Sequence, residues 1–177
     1  MRALAHVCLR AAALALSVAP AAACRGDTAD HAERAAPAIA LTGRVVDDAN
    51  LFDPATEKAL TDKLAAVESD TQAQFVVVST RSLNGQPIKA YSMALANNWG
   101  IGSAERNDGV MILIAPNERQ ARIEVGTGLE KALPNPFCEQ IMREMVARYR
   151  TGDIAAGTIV GVDRIAAQLR ATARQTT

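Results

Sequence analysis

Histidine is nearly absent from this sequence: two residues in 177, His6 and His31, both ahead of the first periodic segment. That excludes a Ser-His-Asp triad, a Cys-His pair, histidine phosphotransfer and a histidine-ligated zinc from the body of the chain. Cysteine is scarce too. Cys8, Cys24 and Cys138 are too few for a thiolate zinc cluster and suggest no disulfide framework. A cysteine phosphatase needs an arginine five residues beyond its nucleophile's neighbour; from Cys138 that position is Glu144, and Arg143 falls one short. The Asp-x-Asp nucleophile pattern is missing, and Gly126-Thr127-Gly128 is followed by no P-loop lysine. Aromatics make up 3%, so a core must be built from Val, Ile, Leu, Met and Ala. No basic run follows the first segment, which argues against nucleic acid as a partner.

What is present begins with an export signal. Arg2 and Arg10 make a positive start, and Ala11 to Ala19 is apolar but well short of the ~20 residues that span a bilayer. Pro20 breaks the run and Ala21-Ala22-Ala23 offers a small-residue cleavage site, so residues 1–23 are expected to be removed. Cys24 follows at once, and the arrangement resembles a bacterial lipobox, with Ala21 where leucine is usual. Two outcomes stay open: a lipidated Cys24 anchoring the protein to the membrane, or simple cleavage leaving a free thiol in the periplasm. The remaining chain has 17 basic and 19 acidic groups, a net charge of −2. Residues 24–40, rich in Ala and charge without an apolar period, read as a disordered tether.

Order is expected from Leu41 to Arg170, with residues 171–177 as a tail. Val45-Val46 is a short extended piece. Asp53-Pro54 starts a helix, the Asp capping free N–H groups and the Pro pre-set for the first turn, and Leu60, Leu64 and Val67 carry it to about Ser69. Gln74 to Thr80 is a β-branched run of the kind buried on both faces. Ile88 to Trp99 is helical by spacing, Gly109 to Ala115 is a second buried strand, and Arg119 to Val125 alternates as a half-exposed strand does. Phe137 to Arg150 and Ile154 to Arg170 are the last helices. Strand–helix–strand units imply parallel pairing with right-handed crossovers, and the short turn after Ala115 makes the next strand antiparallel. The fold class is α/β: a small mixed sheet with helices on its faces, a three-layer sandwich.

Carboxylates are the remaining chemistry, and they suit hard cations. This topology puts Asp108, at the start of one strand, at the same sheet end as Gly126 to Glu130, at the exit of the antiparallel one. Ser79, Thr80 and Arg81 fall at the opposite end. Asp108, Glu130 and glycine backbone would share a crevice there. The plain alternative is equally concrete: Asn107-Asp108-Gly109 is a turn, and Glu130 a helix cap.

Gly43-x-Val45-x-Asp47-x-Ala49 with Leu51, the Ala73 to Val78 stretch, Asn98-Trp99-Gly100-Ile101-Gly102, Asn107-Asp108-Gly109-Val110, Arg122 to Glu130 and Tyr149-Arg150-x-Gly152-Asp153 occur in that order. Together they resemble the TPM-domain family over about 130 residues. The resemblance implies an α/β sandwich, export, frequent membrane tethering and association with divalent cations, calcium or else magnesium. Plant members are linked to photosystem repair and have been called acid phosphatases. Carried over by position, Asp47, Asp108 and Glu130 are the implied cation ligands, with Asn107 and Glu124 as lesser ones. Asn135 stands where the family often has Asp, and the chain shows no C-terminal apolar run; of the two outcomes for Cys24, lipidation would replace that anchor.

Three functions follow as expectations. The first is a calcium-binding, non-catalytic envelope module that acts on envelope or membrane proteins, in membrane-protein maintenance. The second is a metal-assisted acid phosphatase on phosphomonoesters, with Asp47, Asp108 and Glu130 around one ion. The third is a structural domain without a site.

Overall fold

The computed structural model of the chain describes residues 39–176. The signal segment, nearly all of the tether and Cys24 lie outside the described residues. Within them, β1 (Val45–Asp47), α1 (Pro54–Thr71), β2 (Gln74–Ser79), α2 (Ile88–Trp99), β3 (Gly109–Ala115), β4 (Gln120–Val125), α3 (Asn135–Tyr149) and α4 (Ile154–Thr176) follow in order, with a short 3₁₀ turn at Thr127–Leu129. The sheet runs β1-β2-β3-β4: β1, β2 and β3 are parallel and β4 is antiparallel to β3.

Side-chain alternation along the strands divides the core in two. One face carries Val45, Phe75, Val77, Ile112 and Ile123 against α1, α3 and α4. The other carries Val46, Val76, Val78, Met111 and Leu113 against Tyr91 and Leu95 of α2. β2 and β3 are apolar at nearly every position because both of their faces are covered, whereas β4 alternates. Each fully buried Leu, Ile or Val contributes about 1.5–3 kcal/mol relative to an exposed one. The helix starts follow local chemistry: the Asp53 carboxylate accepts from Ala55 N–H (2.9 Å) and Thr56 N–H (3.0 Å), with Pro54 in the first turn.

Three expectations need correcting. The helix after Ile154 continues to Thr176, because residues 170–176 hold no Gly or Pro to stop it, so they are not a loose tail. Order begins ahead of Leu41: Ile39 packs on the α2 side of the core and its carbonyl accepts from the Trp99 indole N–H (2.9 Å). The crossovers are not both right-handed. β1-β2-β3 advance in one direction across the sheet while α1 and α2 lie on opposite faces, so the two connections have opposite hands and one is left-handed. Among the described residues no helix is long and apolar enough to cross a membrane.

Candidate functional site

The parallel pairing of β1 with β2 sets Asp47 beside Ser79, at the end of the sheet where β1 and β2 finish. There its carboxylate accepts from the N–H groups of Leu51 (2.9 Å) and Phe52 (2.8 Å) and from the Ser79 hydroxyl. Ser79 Oγ in turn accepts from Ala49 N–H (2.9 Å), and Ser79 is fully buried. This is a knot that fixes the loop into α1. Next to it Arg81 donates through Nε to the Asp48 carbonyl (2.8 Å) and through Nη2 to the Asp48 carboxylate (2.9 Å).

At the other end of the sheet β3 begins and β4 finishes. Asp108 is buried there and accepts from Ser103 N–H (2.7 Å) and Arg106 Nε (2.6 Å). Burial pushes its carboxyl up, but the Ser103 N–H and the Arg106 guanidinium more than offset this and hold it below the usual carboxylate range. Asn107 adopts φ +48°, and its carbonyl accepts from Gly128 N–H (3.1 Å). The glycines serve close backbone approach. A Cβ at Gly126 would overlap the Asn107 carbonyl oxygen, and one at Gly128 the Arg106 carbonyl oxygen. They therefore press one loop onto another rather than opening carbonyls toward an ion.

Beside this junction an open groove of about 710 Å³ follows β4. β4 is an edge strand, and its pairing leaves one side bare. Gly126 N–H donates to the Gly109 carbonyl (2.8 Å), so in the antiparallel register Glu124, Arg122 and Gln120 exchange bonds with β3. Ala121, Ile123 and Val125 then turn their N–H and C=O groups outward, without partners among the described residues. α2 walls one side of the groove through Lys89, Met93 and Asn97, and the segment entering α3 walls the other. Arg122 Nε donates to Glu124 (2.6 Å), and Ser92 Oγ donates to the same carboxylate (2.7 Å).

Three of the five residues named from sequence, Asn107, Glu124 and Glu130, line this groove. Asp108 sits behind it, and Asp47 stands at the far end of the sheet. No three carboxylate, Cys or His groups among the described residues come together as a metal site. The full set of Asp47, Asp108 and Glu130 therefore does not fit one ion. Among the described residues Glu130 and the Asn107 side chain have no hydrogen-bond partner, whereas Glu124 is held by Arg122 and Ser92. Asn135 also faces the groove, at the start of α3, which has no side-chain cap. Sequence reading missed Arg106, Arg122 and Met93. The alternation of the β4 segment, which puts Arg122 and Glu124 on one face two residues apart, was the signal for the pair. Cys138 is buried, and burial pushes its thiol up, as for an inert core cysteine.

Comparisons with known proteins agree with this architecture. A family profile of the TPM domain matches residues 45–168. The chain is similar to the N-terminal domain of a P. gingivalis protein, with a TM-score of 0.70 and 29% identity over 75% of this chain and 85% of that one. BA42 from the psychrophilic bacterium Bizionia argentinensis has a similar fold (TM-score 0.60, 17% identity, covering 67% and 81% of the two chains). So does the N-terminal domain of cg2496 from Corynebacterium glutamicum (TM-score 0.56, 17% identity, 71% and 79%). A search of curated proteins finds no match.

Proposed function

The chain belongs to the TPM-domain family, and on that premise we propose that it is an exported, non-catalytic interaction module of the cell envelope whose working surface is the groove along β4. The observation that carries this reading is the bare strand edge inside that groove. Ala121, Ile123 and Val125 turn their backbone groups outward, the last two beside the side chains of Asn107 and Glu130, which have no hydrogen-bond partner among the described residues. At the far end of the sheet the Ser79 hydroxyl is fully buried and tied to Asp47 and Ala49. A metal-assisted phosphatase built on Asp47, Asp108 and Glu130 has no common centre to work from.

A divalent cation, calcium or magnesium, enters this reading as a ligand at the groove mouth, on Glu130 and the Asn107 side chain. Two protein donors leave most of the coordination shell to water, which makes a weak site. In the membrane-protein maintenance role, the export signal and Cys24 would bring the groove to the membrane surface where its partners lie.

The test is a thermal melt of the purified chain with calcium, with magnesium and with chelator. It is paired with an assay of a generic phosphomonoester. The expected result is a calcium-dependent rise in Tm that Glu130→Ala removes, with no turnover; at a hundredfold excess over Kd, ligand linkage gives about 2.7 kcal/mol. Metal-dependent turnover lost in Glu130→Ala would overturn the non-catalytic reading. A Tm indifferent to every ion would remove the cation from it.

A further inference from the structure

We propose that the first partner of the β4 edge is a second copy of this chain, paired antiparallel about a two-fold axis through Ile123 to make one continuous eight-stranded sheet. This rests on reading the groove as an interaction surface and names its occupant. The hydrogen-bonding phase fits. Ile123 is one of the residues whose N–H and C=O point outward, so two copies of Ile123 exchange both bonds, and Ala121 of each copy does so with Val125 of the other. The charges fit the same register. Centred on Ile123, the pairing sets Arg122 opposite Glu124 of the second copy, and Glu124 opposite its Arg122, in the closely spaced non-hydrogen-bonded positions. A strand defended against self-pairing would carry charge of one sign at its edge; this one carries a self-complementary pair.

The flanking helix supplies a third, independent observation. Met93 and Leu41 are the large apolar residues most exposed among the described ones, and Met93, 44% exposed, lies on α2 in the groove wall. Met93 lines the groove on the same helix whose Ser92 is bonded to Glu124, so a second copy seated on the β4 edge would cover it. A six-residue strand pair with this flank is smaller than a standard interface, so the expected dimer is a dissociating one, with a Kd on the order of micromolar.

The experiment is sedimentation velocity on the full chain, from micromolar to millimolar, with circular dichroism confirming that each variant is folded. Wild type is expected to shift from monomer to dimer with concentration. Arg122→Glu and Glu124→Arg each place like charges opposite one another and are expected to weaken self-association by roughly tenfold to a hundredfold. An equimolar mixture of these two variants restores opposite pairs across the seam and is expected to dimerise, as is the double exchange R122E/E124R. Met93→Glu, at an exposed position that does not endanger the fold, is expected to weaken the dimer as well. Wild type that stays monomeric at millimolar concentration overturns the proposal, and so does a mixture that fails to associate. A monomer whose calcium response still depends on Glu130 would leave the interaction-module reading standing and remove only the self-pairing.

Discussion

The two ends of the sheet carry the same kind of residue put to contrasting uses. Where β1 and β2 finish, the Asp47 carboxylate is filled by Leu51 N–H, Phe52 N–H and the Ser79 hydroxyl, and Asp48 is held by Arg81. Side chains do the joining there. Where β3 begins and β4 finishes, backbone joins backbone: Gly126 and Gly128 lie against the carbonyls of residues 106–109, Asp108 pins the preceding loop, and the side chains of Glu130 and Asn107 line the groove with no hydrogen-bond partner among the described residues. A carboxylate at a strand end is therefore a ligand candidate only after its local N–H donors have been counted. Asp47 and Asp108 are structural residues by that measure, whereas Glu130, the third of the carboxylates named from sequence, has no donor among the described residues.

The contrast breaks most sharply at the glycines. Gly126→Ala must displace the Asn107 carbonyl, and is expected to cost about 3 kcal/mol by urea denaturation. Gly43→Ala, whose nearest neighbour would sit at an ordinary 3.8 Å, should stay within about 0.5 kcal/mol. Equal costs would mean the backbone junction does not hold that end together.

Asp47→Ala comes next. It strands two N–H groups and a buried hydroxyl, for an expected loss of roughly 2–3 kcal/mol, while any calcium response is unchanged. A calcium response lost with Asp47 would return that end of the sheet to the site.

A smaller effect is expected from Asp108 and depends on pH. Its folded pKa is depressed, so the unfolded chain binds the proton more readily, and this contribution to stability is present above the unfolded value of about 3.9. It is lost as pH falls below that value through the folded pKa. Asp108→Asn should remove this part of the acid dependence and leave a flatter profile below about pH 4, as read by urea midpoints across that range. An unchanged profile would assign the acid sensitivity to other carboxylates.

The smallest change in stability is expected at Glu130. Glu130→Ala removes no hydrogen bond or ion pair among the described residues and should stay within about 0.5 kcal/mol, even as it removes the cation response. A large loss of stability there would make Glu130 a structural residue like Asp47.

Much of the fold was legible because each element has a local cause. The Asp53-Pro54 start, the β-branched run at β2, the apolar run at β3 and the helical spacing of Ile88, Tyr91, Leu95 and Trp99 each determine an element without reference to the rest of the molecule. The short turn after Ala115 brought Asp108 and Glu130 to one end of the sheet, and they are found there. The same parallel-pairing rule, applied to β1, would have set Asp47 at the opposite end with Ser79; grouping it with Asp108 by family position hid this.

By itself, then, the sequence determined which segments are helix and which are strand, that the sheet is mixed, and that the domain lacks histidine chemistry, since those follow from periodicity, turn length and composition. Only the tertiary structure decided which carboxylates are free, why Gly126 and Gly128 are glycine, and that the two crossovers take opposite hands. Those depend on which distant N–H groups, carbonyls and helix faces meet once the strands are ordered, and no local pattern encodes that meeting.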